Sequence, residues 1–510
     1  MTSLTLTTAP DAGANGEALR ALIERYETAR NRRRDWEPLW QDAYEYALPQ
    51  RNSFSGGVPN DKRMERIFDG TALDAVDSLA ASLLGNLTPP WTQWCGFKPG
   101  PDLSAEETES LSPVLEKAAR TLQAHLDRSN FIVEMHQCYL DLIVGGTAAL
   151  VLEESEPGSM SAFRFTAVPL SDIVLEEGPG GMLDGSYRRL SLTLSQLQVR
   201  YPAAELPPEI MRRGQKDPQA RFDVLESVLP GAFGNYEFKA LLPGGSTPVL
   251  LREGIFSASP VIAFRWLKAP GELYGRSPVM KALPDIKTAN KVVELILKNA
   301  SIAVTGIWQA DDDGVLNPAN IELKPGAIIP KAVGSEGLKP LDMPGRFDIS
   351  QLVLNDLRTR IRHALLADRL APITAARMTA TEVIERSSEM SLLLGATYGR
   401  LQSELLTPLV QRAFSILRRR GEVPDMRIDG RLIALDYRAP LAKAQGQRNV
   451  QNTLSWIESV LRMGPEAATA IDLPAAARFL GDALGVPVDL IRQPLPLPPQ
   501  EIENVLPQTV

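Results

Sequence analysis

The chain has 510 residues, of which 54 are basic and 62 acidic, so its formal net charge at pH 7 is −8. This sign argues against tight binding to nucleic acid over the whole surface, because such binding needs a basic face for the phosphates. The composition, 44% apolar and 23% charged, is that of a soluble globular protein, and no window approaches the roughly 18 uninterrupted apolar residues of a membrane span. The length predicts two or more domains or one elongated subunit.

Residues 1–16 lack both a basic and an apolar segment, which predicts a flexible leader and not a secretion signal. An amphipathic helix is predicted over residues 17–30. The basic run that follows could touch phosphates, but complementing the helix dipole is the favoured interpretation of its four arginines, Arg30, Arg32, Arg33 and Arg34.

A helix of small residues is predicted from Asp69 to Gly85. The segment after it is rich in Pro and Gly and is predicted to be a loop whose aromatic residues plug a core, namely Trp91, Trp94 and Phe97. The two cysteines, Cys95 and Cys138, are too few for a disulfide scaffold or a zinc site, and we expect both to be buried.

Between residues 145 and 265, short segments rich in β-branched and aromatic residues are separated by Gly or Pro. This pattern predicts strands with helical inserts, so the module is α+β and not a clean sandwich.

Two long helices are predicted next, over residues 281–304 and 347–367, on either side of a loop-and-strand insertion at 305–346. The helices form an arm that displays the insertion as a docking surface. The insertion carries Trp308 and an acidic run, Asp311, Asp312 and Asp313. That run could ligate magnesium or contact a basic partner, but a solvated loop is favoured.

After a break at residues 368–378, a helix is predicted from 379 to about 418, with a kink at Pro408, and the chain then continues to residue 440. Two shorter helices are predicted within 441–493, over 449–463 and 474–485. Residues 494–510 are Pro-rich and are expected to be disordered.

No enzymatic motif emerges from the sequence. The segment from Gly271 to Ser277 has glycines one residue too close together for a phosphate-binding loop and carries Arg276 where lysine belongs, so a turn is favoured. The three histidines have no metal-ligand spacing, and the nearby His136 and Cys138 are interpreted as packing residues. We therefore expect no catalytic residue, no metal and no cofactor.

Three segments together resemble the bacteriophage head-to-tail connecting protein family, the portals of short-tailed, podovirus-like phages. They are RRRDWEPLWQDAYEYALPQR, RIFDGTALDAVDSLAASLLGNLTPPWTQW and RMTATEVIERSSEM. The second is the most specific, through seven residues, Asp69, Asn86, Leu87, Thr88, Pro89, Trp91 and Trp94. The resemblance covers most of residues 20–490, whereas the leader and the tail after about Gln493 match nothing in the family.

The resemblance implies an α+β portal fold assembled into a dodecameric ring. A wing would comprise residues 17–280, a stem 281–304 and 347–367, a clip 305–346, a channel loop 368–378, a long kinked helix returning to the wing 379–440, and a helical crown 441–493. Arg369 and Arg377 of the loop would touch passing DNA. Trp308 and the acidic run of the clip would face partner proteins.

The resemblance further implies a non-enzymatic virion protein, made in the host bacterial cytoplasm and placed at the portal vertex of the capsid. It would serve DNA packaging and ejection. Its partners would be the capsid protein, the terminase large subunit, the tail adaptor and nozzle proteins, and double-stranded DNA held weakly and without sequence preference, with no membrane. The alternatives are another non-enzymatic head or tail component, such as a scaffold, and a DNA-processing motor or nuclease, whose phosphate loop or carboxylate cluster the sequence lacks.

Overall fold

The structure is a computed structural model. It describes residues 12–51, 63–90, 92–244, 248–305, 308–309, 339–340, 347–368, 395–426, 428, 430–438, 440–464 and 471–484. Within these ranges, no helix combines the length and the apolar character needed to cross a bilayer.

The helices of the first 305 residues are α1 (Ala12–Arg33), α2 (Glu37–Ala47), α3 (Thr71–Leu87), α4 (Ala105–Asp127), α5 (Phe131–Gly145), α6 (Leu194–Arg200), α7 (Pro208–Lys216) and α8 (Pro278–Thr305). Those that follow are α9 (Phe347–Ala364), α10 (395–401), α11 (Thr407–Arg419), α12 (Pro440–Arg462) and α13 (Leu473–Leu484). One turn of π-helix, Gln402–Leu406, precedes α11.

The strands are β1 (Cys95–Pro99), β2 (Thr147–Glu154), β3 (Phe163–Val168), β4 (Ile173–Glu177), β5 (Leu183–Thr193), β6 (Arg221–Pro230), β7 (Tyr236–Leu242), β8 (Val249–Phe256), β9 (Val261–Arg265), β10 (Trp308–Gln309), β11 (Lys339–Pro340) and β12 (Ile433–Tyr437). Strands β4 to β8 form an antiparallel five-stranded meander in chain order, and a three-stranded sheet has the order β3-β2-β9. The mixed helix and sheet content agrees with the predicted α+β class.

The described chain divides into two compact units. The first comprises residues 1–82, 135–151 and 166–372, and the second comprises residues 83–134, 152–165 and 373–510. Each unit is therefore assembled from three separate stretches of chain.

In the first unit, the five-stranded sheet carries apolar side chains on both faces. Helix α1 covers one face with a cluster that includes Leu22 and Tyr26 against Tyr187. Helices α6 and α7 cover the other, where Leu197 and Val224 are fully buried. The alternation of strand side chains thus supplies two small cores, because successive residues point to opposite faces.

In the second unit, aromatic rings form the core. Trp94 stacks on Phe131 with ring centroids 6.2 Å apart, Phe131 meets Phe165, and Phe97 meets Phe414 edge to face at 5.2 Å. Strand β1 pairs antiparallel with β12 and places Phe97 on that core. The predicted plugging role is confirmed for Trp94 and Phe97, whereas Trp91 lies outside the described residues.

Several predicted boundaries were wrong. Helix α3 runs from Thr71 through Gly85 to Leu87, so Gly85 does not end it. Helix α12 begins at Pro440, nine residues before the predicted start, because proline is well suited to a first helical turn. Helices α4 and α5 were not predicted.

The predicted irregularity at Pro408 is a π-helical turn. The backbone N–H of Thr407 bonds to the carbonyl of Gln402, five residues back, just before a proline that has no N–H to continue an α-helical ladder. Residues 379–394 of the predicted helix lie outside the described ranges.

The arginine run closes α1, with Arg30, Arg32 and Arg33 in the last turn as the dipole interpretation requires, and Arg33 has a further role. Arg33 is only 7% exposed, and its guanidinium donates to the carbonyls of Leu170, Ser171 and Ile173 at 2.8–3.1 Å as well as to Glu37. It therefore ties α1 to the turn before β4, a role that a helix dipole alone does not require.

The β6–β7 hairpin displays Phe233 at its tip. This residue has φ 57° and ψ 28°, a left-handed conformation that bulky side chains rarely adopt, and its side chain is fully exposed. We expect Phe233→Gly to raise the free energy of unfolding by about 0.5–1 kcal/mol, because it removes backbone strain and loses no packing. Urea denaturation measures this. Phe233→Ala, which keeps the strain, is the control and should leave stability nearly unchanged; destabilisation by glycine would contradict the prediction.

Candidate functional site

Helices α8 and α9 form a pair, and residues 306–346 connect the end of α8 to the start of α9. Trp308 pairs with Pro340 and Gln309 with Lys339 in the β10–β11 ladder, so the two helices run antiparallel. Arg360 of α9 meets Asp285 of α8 at 3.0 Å near the other end. Along the apolar stripes predicted from the sequence, Ile286, Ala289, Leu357, Ile361 and Leu365 are buried, whereas Leu352 is 73% exposed.

Asn290 anchors this pair to the chain before α3. It is 7% exposed, and its side-chain oxygen accepts the backbone N–H groups of Phe68 (2.6 Å) and Asp69 (3.1 Å), while its amide donates to the carbonyl of Arg66 at 3.0 Å. One polar side chain on an apolar stripe thus satisfies three backbone groups that would otherwise be buried without partners.

Asp69 completes the anchor from the other side. Its carboxylate accepts the backbone N–H of Thr71 at 3.0 Å and the Nε–H of Arg358, on α9, at 2.8 Å. Burial alone would raise the pKa of Asp69, but the hydrogen bonds from Thr71 and Arg358 outweigh it and lower the pKa below its ordinary 3.8. Asp69 therefore acts as a buried, ionised link between α3 and α9.

Helix α2 adds a third contact. The ammonium of Lys287 on α8 lies 2.6 Å from a carboxylate oxygen of Asp42 and 5.5 Å from the ring centroid of Tyr46. The contacts of Asn290, Asp69 and Lys287 therefore hold the pair of α8 and α9 to α2 and to the residues before α3.

The segment from Gly271 to Ser277 is a turn into α8, as predicted. The hydroxyl of Ser277 accepts the backbone N–H of Met280 at 2.8 Å, which caps the helix start. Gly275 is required by packing, because a Cβ there would lie 2.1 Å from the carbonyl oxygen of Gly146. The glycines therefore permit close approach of two backbones and do not cradle a phosphate.

An open cleft of about 760 Å³ lies beside this turn, between α1, Trp36 and β4. Its walls carry both signs of charge, with Arg25 bonded to Glu176 and Arg276 bonded to Glu272. Arg276 also lies 4.8 Å from the ring centroid of Trp36. Because these charges are mutually paired, the cleft offers no concentrated field of one sign.

A buried polar cluster occupies the same unit. Asp141 on α5 accepts the hydroxyl of Tyr44 at 3.0 Å and the guanidinium of Arg51, which also donates to Gln137 at 2.8 Å. Burial raises the pKa of Asp141, and the nearby Arg51 charge opposes part of that rise. Asp141 and Tyr44 are buried, whereas 20% of the Arg51 side chain is exposed, and the cluster joins α5 to α2 and to the residues that follow α2.

Cys95 and Cys138 are both buried, as predicted. The thiol of Cys138 donates to the carbonyl of Ala149 at 3.6 Å, and burial raises the pKa of Cys95 to about 12. Cys138 and His136 are two residues apart on α5, a spacing that does not place side chains on one face. In the described ranges, no three His, Cys, Asp or Glu side chains come together as a metal site.

The predicted site residues fall largely outside the described residues. Trp308 is placed in β10, whereas Asp311, Asp312 and Asp313 of the insertion, and Arg369 and Arg377 of the following loop, are not described. Their proposed contacts therefore stay predictions. Sequence reasoning missed the anchoring roles of Asn290 and Arg358; an asparagine on the apolar stripe, between Ile286 and Val293, was the signal that could have indicated the first.

Comparison with known proteins gives a match to the family described as bacteriophage head to tail connecting protein, over residues 19–491. The portal protein of Salmonella phage epsilon15 is 25% identical, covering 95% of this chain and 90% of that protein. The probable portal protein of Bordetella phage BPP-1 is 24% identical, covering 92% and 88%. The portal protein of Escherichia phage T7 is 23% identical, covering 79% and 75%. Among solved structures, a chain of a native gene transfer agent virion aligns with a TM-score of 0.36 at 12% identity, over 81% of this chain and 94% of that chain.

Proposed function

The chain belongs to the bacteriophage head to tail connecting protein family, and we propose from this that it is a portal subunit. Copies of it assemble into a dodecameric ring at one capsid vertex, and DNA passes through the ring during packaging and ejection. The observation that carries the proposal is the family match over residues 19–491, supported by portal proteins of two phages that align over about nine-tenths of the chain.

The parts take the following roles in this proposal. Helices α8 and α9 are the stem, and residues 305–346 between them are the clip, which docks the terminase during packaging and the tail adaptor afterwards. Residues 17–280 form the wing, which contacts the capsid protein, and residues 441–493 form the crown. The anchoring of α8 and α9 through Asn290 and Asp69 supports this division, because a stem must transmit force between wing and clip.

The excess of acidic over basic residues suits a protein through which DNA must pass without binding tightly. With a net charge of −8, the chain as a whole weakly repels DNA, which disfavours tight non-specific binding in the channel. In this proposal the acidic run Asp311 to Asp313 of the clip repels DNA and favours a partner of positive sign.

Imaging of the purified protein in negative stain tests the portal proposal. A portal subunit forms rings with a central hole, and image classification counts the copies. Monomers would contradict it, while fibres or stacked tubes without a closed ring would favour the alternative of a tail or scaffold component. The same preparation, assayed for ATP hydrolysis and DNA cleavage, addresses the motor and nuclease alternatives.

The channel loop, residues 368–378, is proposed to steer DNA through Arg369 and Arg377. We expect the double variant Arg369→Ala/Arg377→Ala to lower the amount of nuclease-protected DNA per capsid about tenfold, because electrostatic steering of this kind changes rates by about that factor or more. The control is Arg164→Ala/Arg212→Ala, which removes two exposed arginines elsewhere. Unchanged packaging and retention in the channel-loop variant would remove this role.

A further inference from the structure

The tip of the β6–β7 hairpin holds a large apolar side chain in water. Phe233 is fully exposed and has a left-handed backbone conformation, which an aromatic residue adopts only at a cost in free energy. The surrounding backbone enforces it, since the N–H of Gly231 bonds to the carbonyl of Asn235 at 2.8 Å and the N–H of Asn235 to the carbonyl of Ala232 at 3.2 Å. Strain that gains no packing within the chain is typical of a residue that acts on a partner.

Further apolar side chains lie near this tip, at the end of β8. Ile255 is 72% exposed, and Phe238 and Phe256, whose rings meet edge to face with centroids 5.8 Å apart, are only partly buried. Glu237 pairs with Ile255 in the ladder, is exposed, and has no cation partner in the described part of the chain. The hairpin end, residues 231–238 and 255–256, is therefore an apolar projection with a free carboxylate, the kind of surface that binds another protein.

The open cleft beside Trp36 has matching chemistry. Its partly buried apolar residues, Trp36, Leu39 and Leu273, offer a surface against which an aromatic ring can pack. The charged residues that line it are paired with one another or with neighbours, except for Arg32 and Asp35, which have no ion-pair partner among the residues that the structure describes. Its volume of about 760 Å³ lies in the range of pockets that enclose drug-sized ligands, so a phenyl ring fits.

The hairpin end and the cleft lie at the same end of the five-stranded sheet. Strands β4, β6 and β8 run in one direction, because neighbouring strands of the meander are antiparallel, so Glu177, Pro230 and Phe256 all end at this side. The cleft borders the edge strand β4, whereas the hairpin joins β6 to β7, roughly 10–15 Å away at the usual spacing between strands. Because Phe233 is fully exposed, it does not occupy the cleft of its own chain.

We propose that Phe233 of one copy of this chain inserts into the cleft of the next copy and packs against Trp36. In this contact Glu237 lies beside Arg32, so each of the two free charges gains a partner of opposite sign. The inference rests on the proposed ring and identifies the hairpin and the cleft as one of its subunit contacts. Because the two surfaces are different, the contact is heterologous, the kind that closes into a ring when repeated by rotation.

Cysteine cross-linking tests the contact in the full-length protein, since Cys95 and Cys138 are both buried. The double variant Ala232→Cys/Asp35→Cys places one exposed thiol beside Phe233 and one at the cleft, and leaves Phe233 and Trp36 in place. Under mild oxidation it is expected to give a ladder of covalent multimers on a non-reducing gel, whereas each single variant should stay monomeric. Dimers from a single variant would indicate a two-fold contact and overturn the proposal.

Removal of the aromatic ring gives a second measurement. At a concentration where half of the unmodified protein is in rings, Phe233→Gly is expected to lower the ring fraction about tenfold, because burial of a phenylalanine side chain changes an association constant by at least that factor. Glycine adopts the left-handed conformation without strain, so a loss of rings would not reflect misfolding of the hairpin. Val199→Gly, which removes another exposed apolar side chain, on α6, is the control; equal ring fractions for the two variants would overturn the proposal.

Charge reversal tests the pairing of Glu237 with Arg32. Glu237→Arg is expected to lower the ring fraction about tenfold, because it sets like charges against each other, and adding Arg32→Glu should restore much of that fraction. Glu209→Arg, an exposed reversal on α7, is the matched control and should leave the fraction unchanged. Failure of Arg32→Glu to rescue Glu237→Arg would show that these two residues do not meet.

The outcomes separate this inference from the portal proposal. Rings seen by negative stain, with no ladder from the double cysteine variant, would overturn the inference alone. The absence of rings in the unmodified protein would overturn the portal proposal itself.

Discussion

Replacement of Asp141 by alanine is expected to lower the free energy of unfolding by about 3 kcal/mol, because it leaves the largely buried Arg51 charge without its partner. The Arg51 guanidinium would lose its counter-charge, and the buried Tyr44 hydroxyl would lose its acceptor. Urea denaturation followed by tryptophan fluorescence measures the change, since Trp40 donates to the carbonyl of Gly145 on the same helix as Asp141.

The control for Asp141 removes both charges together. The variant Asp141→Leu/Arg51→Met leaves no unpaired ion, so it should be destabilised much less than Asp141→Ala. A loss below about 1 kcal/mol for Asp141→Ala, or an equal loss for both variants, would show that the ion pair does not govern the stability of this cluster.

Replacement of Asp69 by alanine is expected to lower the free energy of unfolding by about 2–3 kcal/mol, because the change removes a helix-capping acceptor and a charged hydrogen bond from Arg358. The loss should depend on pH. The pKa of Asp69 is lowered in the folded state, so its contribution is complete above about pH 3.8 and disappears as the pH falls through the folded value.

Denaturation of wild type and Asp69→Ala at a series of pH values checks both statements. Their difference should be constant near neutral pH and should shrink below about pH 3.8. Asp77→Ala, which removes an exposed carboxylate from α3, is the control and should change stability by no more than about 0.5 kcal/mol. A difference independent of pH would mean that Asp69 does not act through its charge.

Local sequence patterns predicted the features that depend on local spacing. The sequence predicted helices over 281–304 and 347–367, where the structure has Pro278–Thr305 and Phe347–Ala364, because an apolar residue every three or four positions marks a helix face. The burial of Cys95 and Cys138 followed from their small apolar character.

Features that depend on distant residues could not be predicted. Asn290 bonds to backbone groups more than 200 residues away, and Arg33 bonds to carbonyls more than 130 residues away. A local stretch of sequence does not contain both partners of such a bond. The arginine run was therefore interpreted only as the end of a helix, and Asn290 appeared only as a polar residue among the apolar residues of α8. Gly275 is similar, because its reason for being glycine is the backbone of Gly146.

The division of each unit into three stretches of chain has a consequence for synthesis on the ribosome. In the part of the chain that the structure describes, strand β1, residues 95–99, pairs with β12, residues 433–437, so it emerges more than 300 residues before this partner exists. At about 5–20 residues per second, that wait lasts roughly 20 to 70 s. The second unit therefore cannot complete this pairing until β12 has been synthesised, and until then the strand that carries Phe97 is open to non-native pairing.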